Sequence, residues 1–174
     1  ARVWLWRGNS GLEFGSHLLA LDDYNQVVRL RPGYAEVHYN RAQVLRLHEE
    51  LRPSIEEYRR AIGLRDGYVE AYLGRALAWW ALEEWETVVA DLDAALRLRP
   101  DDAQTLCLRG ATHARRGDRA KAEADFAQAL GLGAPDPEML NFRSMSHRAL
   151  GDLQAAIADC DEALRLDPRH ADSY

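Results

Sequence analysis

A 34-residue period runs through nearly the whole chain, and it restricts the fold more than any other property of the sequence. Pro32, Pro100 and Pro168 stand 68 residues apart, twice 34. Rows of 34 residues (1–34, 35–68, 69–102, 103–136 and 137–170) align without insertion or deletion. Column 30 of these rows is Leu30, Leu64, Leu98, Leu132 and Leu166. Column 27 is Val27, Ala61, Ala95, Ala129 and Ala163, and column 28 is Val28, Ile62, Leu96, Leu130 and Leu164. Column 8 is small throughout, with Gly8, Ala42, Ala76, Gly110 and Ser144. Column 24 is Tyr24, Tyr58, Leu92, Phe126 and Cys160.

Within each row, apolar residues recur three and four apart in two blocks, columns 2–14 and 18–31, the spacing of an amphipathic helix. Turn residues such as Gly15-Ser16, Gly117-Asp118 and Gly151-Asp152 separate the blocks. Each row thus predicts a hairpin, helix A then helix B, of about 13 residues and 20 Å per helix. Small side chains at columns 8 and 27 allow the two helices to approach, and column 24 fills the space between them. One such hairpin cannot bury its apolar face alone, so stacked neighbours must do it for one another. Helix A of the first repeat carries Gly8 and Gly11. It is expected to be short, frayed or broken, because an interior glycine costs about 1 kcal/mol relative to alanine.

The column set (bulky at 4, small at 8 and 20, bulky at 24, alanine at 27, proline at 32) resembles the tetratricopeptide repeat family over residues 1–170. Asp66 and Ala134 in column 32, and Ser54 and Val88 in column 20, depart from it. The resemblance implies an all-α fold, a right-handed α–α superhelix of five helix-turn-helix hairpins in a single array over 1–174. It implies a non-enzymatic scaffold for protein–protein interaction, without cofactor. It also implies that columns 2, 5, 9, 12 and 13 of helix A line a concave groove. On that assignment the partner-binding residues are Tyr39, Gln43 and Arg46, then Leu73, Leu77 and Trp80, then Cys107 and Arg115, and finally Asn141. Trp79, at the packing column 11, should be core. Its neighbour Trp80, turned about 100° away, either faces the groove or packs on a neighbouring helix A. With Tyr39, Leu73 and Leu77 it would form an apolar patch flanked by Arg46 and Arg115, suited to a peptide with a hydrophobic anchor and acidic character.

Two specialised modes of the family fit poorly. A chaperone C-terminal carboxylate clamp would need cations where Leu5, Glu70 and Gly74 stand. An asparagine ladder would need asparagine throughout column 6, which is Trp6, Asn40, Gly74, Leu108 and Phe142.

A charge pattern repeats with the same period. Column 7 is Arg7, Arg41, Arg75, Arg109 and Arg143, and column 23 is Asp23, Glu57, Asp91, Asp125 and Asp159. Both columns border the A–B seam, so each arginine is predicted to pair with a column 23 acid, its planar fork matching a carboxylate. The alternative is a row of exposed pairs of little energetic worth.

Net charge is -6, which argues against binding nucleic acid through its phosphates. No apolar run is long enough for a membrane span. Cys107 falls at a groove column and Cys160 at a core column, so they should not pair, and free thiols lean toward a cytoplasmic, reducing location. His113 and His147 share column 11 one repeat apart, about 10 Å by helix packing, too far to share a metal. No nucleophile, base and orienting group converge. Residues 171–174 repeat the opening of other rows, the start of a truncated sixth repeat or cap. The chain, which begins without methionine, is therefore expected to be a fragment or to be covered at its end by another copy. Self-association through uncapped ends or the groove is the alternative function.

Overall fold

The computed structural model describes residues 1–133 and 135–167, which carry ten helices and no strand. The helices A are α1 (Arg2–Glu13), α3 (Ala35–Leu47), α5 (Val69–Ala81), α7 (Ala103–Arg115) and α9 (Pro137–Ala149). The helices B are α2 (His17–Leu30), α4 (Leu51–Leu64), α6 (Trp85–Leu98), α8 (Arg119–Gly131) and α10 (Leu153–Leu166). Every pair keeps step with the 34-residue rows, to within a residue at each end. Ala134, Pro168 and the expected sixth-repeat segment 171–174 lie outside the described residues.

Backbone proximity divides the chain into two compact units, Ala1–Thr87 and Val88–Tyr174. In the first, α1 packs on α2, α3 on α2 and α4, and α5 on α4 and α3. In the second, α7 packs on α8, α9 on α10, and α7 on α9.

The interior of each unit is built from the repeating columns. Column 20 (Ala20, Ser54, Val88, Ala122, Ala156) and column 27 are buried in all five rows. Small residues at column 8 are a steric requirement. A Cβ on Gly8 would stand 2.6 Å from the Tyr24 ring, and one on Gly110 would stand 3.1 Å from Phe126. Ser144, at the same column, donates to the Ala156 carbonyl at 3.0 Å and so pairs its buried hydroxyl.

The first helix departs from expectation. α1 runs unbroken for 12 residues despite its glycines. Gly8 and Gly11 lie on the face turned to Tyr24 and Ala20. Close packing against α2, through a cluster that includes Trp4, Leu5 and Leu12, offsets the poor helix propensity.

The charge ladder is present in the four rungs whose members share a unit. Arg7 meets Asp23 with Nε 2.6 Å from Oδ2, and Arg41 stands 3.2 Å from Glu57. Arg109 grips Asp125 at 2.6 and 3.0 Å, and Arg143 grips Asp159 through Nε at 3.0 Å. All five column 23 acids are no more than 5% exposed, so the ladder is a partly buried structural element rather than surface decoration.

Candidate partner-binding surface

In the first unit, Tyr39, Gln43 and Arg46 stand one turn apart along α3, and Leu73, Leu77 and Trp80 do the same along α5. The structure gathers the α3 residues around an aromatic knot. The half-buried Tyr39 ring lies 5.2 Å from Tyr68 and 5.9 Å from Tyr58, and Gln43 donates to the Tyr39 hydroxyl at 2.8 Å. Burial raises the pKa of the Tyr39 phenol, so it remains a neutral hydrogen-bonding group. On α5, Leu77 is 40% exposed and Leu73 half-buried. Trp80 is half-buried, with its ring edge-on to Trp85 at 5.1 Å. Trp85 opens helix B of the same hairpin. Trp79 is also half-buried rather than fully core.

In the second unit, Cys107 is a correction to the expected set. It is fully buried and presents no surface to a partner. The groove position that the resemblance implies for its column does not hold for this side chain. Burial pushes its thiol up to about 12, which keeps it protonated and inert. Cys107 and Cys160 are both free thiols.

Arg115 is exposed, and it lines a recess of about 200 Å³ together with Met145, Arg148 and Ala149. Among the described residues, neither Arg115 nor Arg148 has an acid partner. Met145 and Arg148 occupy groove columns 9 and 12 of the last repeat and add to the partner-binding residues named from the sequence. The missed signal was the pairing of two cations at neighbouring columns, 13 and 12, one repeat apart. Asn141 is half-buried, and its Oδ1 is enclosed without a hydrogen-bond partner. At the other end of this face, Gln104 donates to Glu138 at 2.9 Å and ties α7 to α9.

Among the described residues, no group of three or more His, Cys, Asp or Glu is placed to hold a metal, and no helix is long and apolar enough to cross a membrane. His113 and His147 each point a ring nitrogen toward a ladder acid, at 3.9 Å from Asp125 and 3.6 Å from Asp159.

Known proteins share this architecture. A thermophilic tetratricopeptide repeat protein of Thermus thermophilus superposes with a TM-score of 0.78 at 25% identity, covering 98% of this chain and 93% of that one. MamA of Desulfovibrio magneticus RS-1 gives 0.81 at 16% identity over 97% and 95%. YrrB, described as a TPR protein with an unusual peptide-binding site, gives 0.76 at 16% identity over 97% and 87%. The tetratricopeptide repeat and J domain-containing co-chaperone DNJ1 of Cryptococcus neoformans var. grubii is 44% identical over 39 residues, which is 22% of this chain but only 8% of that protein. A family profile described as the ETO1 C-terminal domain matches residues 16–174. The periodic columns, the helix hairpins and these likenesses agree: the chain is a tetratricopeptide-repeat protein and belongs to the ETO1 C-terminal domain family.

Proposed function

We propose that this chain holds a peptide-like segment of a partner protein against its helix A face, and that the segment combines a hydrophobic anchor with acidic residues. The tetratricopeptide fold is in general a non-catalytic scaffold for protein–protein interaction. The observation that supports the finer reading is the recess of Arg115, Met145, Arg148 and Ala149. In a chain of net charge -6, whose ladder arginines are matched to acids, two arginines without acid partners beside an accessible methionine favour an anionic, partly apolar guest. Leu77 offers accessible apolar surface on the first unit.

Fluorescence polarisation with labelled peptides that place leucine or phenylalanine among acidic residues tests this. Arg115→Glu and Arg148→Glu should each weaken binding by about tenfold, because they turn attraction into repulsion. Affinity unchanged in both variants would remove the reading.

Self-association is the second reading, favoured by the apolar residues on α1, α2 and the turn between them. Val3, Trp6, Phe14, Leu18 and Leu19 are each at least 67% exposed. Column 3 is otherwise buried, as Val37, Ala71, Thr105 and Met139 are. Light scattering that finds only monomer across a wide concentration range would dismiss it.

A further inference from the structure

We propose that the chain associates end to end, with α10 of one copy lying on the α1–α2 hairpin of a second copy as helix B of one repeat lies on the next. This rests on the self-association reading above and names the two surfaces that meet.

Three contacts show how one repeat receives the helix B before it. Arg109 holds Asp125 of its own repeat through Nε and Nη2, and its Nη1 donates to Asp93 of the preceding helix B at 2.7 Å. Column 25 thus meets column 7. Val89 and Asp93, columns 21 and 25, close one side of a recess that includes Arg109, His113, Arg116, Lys121 and Asp125 on the other. Column 21 thus lies toward column 14. In the first unit Val28, at column 28, packs against a cluster that contains Val37, at column 3 of the next helix A. The register is antiparallel: 21 to 14, 25 to 7 and 28 to 3.

The α1–α2 hairpin presents the receiving half of this contact. Arg7 holds Asp23 through Nε and Nη2, as Arg109 holds Asp125, and its Nη1 meets no acid among the described residues. An open recess of about 360 Å³ beside it includes Arg7, Gly11, Phe14, Leu19 and Asp23. These are the same five columns that line the later recess on its receiving side. Val3, Phe14 and Leu19 are exposed.

Helix α10 presents the other half. An apolar residue at column 21, an acid at 25 and an apolar residue at 28 occur together in two repeats only. In the third they are Val89, Asp93 and Leu96, and in the fifth Ile157, Asp161 and Leu164. Ile157 is 55% exposed, whereas Ile55 at the same column is 2% exposed. Asp161 and Leu164 are also exposed, and Asp161 has no cationic partner among the described residues. In the observed register, Ile157 enters the recess beside Phe14 of the second copy, Asp161 reaches Arg7 Nη1, and Leu164 covers Val3. The acid on α10 complements the open arginine nitrogen on α1, which makes a second copy the occupant.

Sedimentation velocity of the whole chain over a range of concentrations tests this. The mean mass should exceed that of the monomer and rise with concentration, because a heterologous contact leaves each copy one free face of each kind. Phe14→Glu blocks the receiving face and Ile157→Glu the inserting one, and both positions are exposed, so the fold is spared. Each variant alone should associate at least about tenfold more weakly, and Asp161→Arg should do the same by turning attraction into repulsion. Phe14→Glu and Ile157→Glu mixed should form a 1:1 dimer and nothing larger, since one intact face of each kind remains. A parent that associates, yet is unaffected by Ile157→Glu and Asp161→Arg, would overturn the end-to-end contact and leave self-association through another surface standing. Absence of a dimer in the mixture would overturn it as well. A parent that stays monomeric at every concentration would bring down the self-association reading and this contact together.

Discussion

Glu57 illustrates how a charge is kept inside this fold. It is 5% exposed, and burial pushes its carboxyl pKa upward. The hydrogen bond from His38 at 2.8 Å and the charges of Arg41 and Arg60 outweigh that, so the group titrates below its ordinary range. His38 in turn donates to the Pro32 carbonyl at 2.9 Å, which fixes the ring between the end of one repeat and helix B of the next. A folded-state pKa below the unfolded value means that ionised Glu57 contributes stability above about pH 4.3, and that this is lost as pH falls through the folded value. Glu57→Gln should therefore lose about 2 kcal/mol near neutral pH, the usual worth of hydrogen bonds to a charged group. Urea denaturation at a series of pH values checks it, and the difference from the parent should shrink in acid. A difference that stays constant down to about pH 3 would assign the effect to packing instead of charge.

At the scale of single elements, every A–B turn is the same device. Column 15 has positive φ in all five repeats: Gly15, Glu49, Glu83, Gly117 and Gly151. In the third repeat Glu83 N–H returns to the Trp80 carbonyl and Glu84 N–H to the Trp79 carbonyl, and the same pair of bonds recurs at Gly117 and Asp118. This is the Schellman closure, which suits glycine because a Cβ is crowded in the left-handed region. Glu83, with φ of 58°, accepts that crowding. Glu83→Gly should raise stability by about 1 kcal/mol, and a thermal melt that moves downward would contradict it. Three of these turns could be read directly, because glycine announces them. The glutamate turns could be read only by column alignment with the glycine ones.

The same limit explains the misread elements. Propensity marked α1 as weak, but propensity does not see that Gly8 and Gly11 are the residues pressed against α2. Column position placed Cys107 on a binding face, but column position does not report how far a side chain reaches. The ladder was legible because opposite charges recur at fixed columns.

For the molecule as a whole, the consequence of a 34-residue repeat is that stability is held locally. Each unit has its own buried columns. In the first these include Ala42, Tyr58, Ala61 and Ala71, packed around the tyrosine knot, and in the second they include Leu106, Phe126, Leu140 and Ala163. A chain built this way opens in segments, with free energies set by each repeat and its immediate neighbours. Leu140 is 1% exposed within the second unit. Leu140→Ala should cost about 2–5 kcal/mol locally by leaving a cavity. Amide hydrogen exchange should then show protection lost first in α9 and α10, less in α7 and α8, and least in α3 and α4. Far-UV circular dichroism of the variant should still report a helical protein at low temperature. If protection instead fell by the same amount in all ten helices, the chain would unfold as one cooperative body, and the additive account of its stability would be wrong.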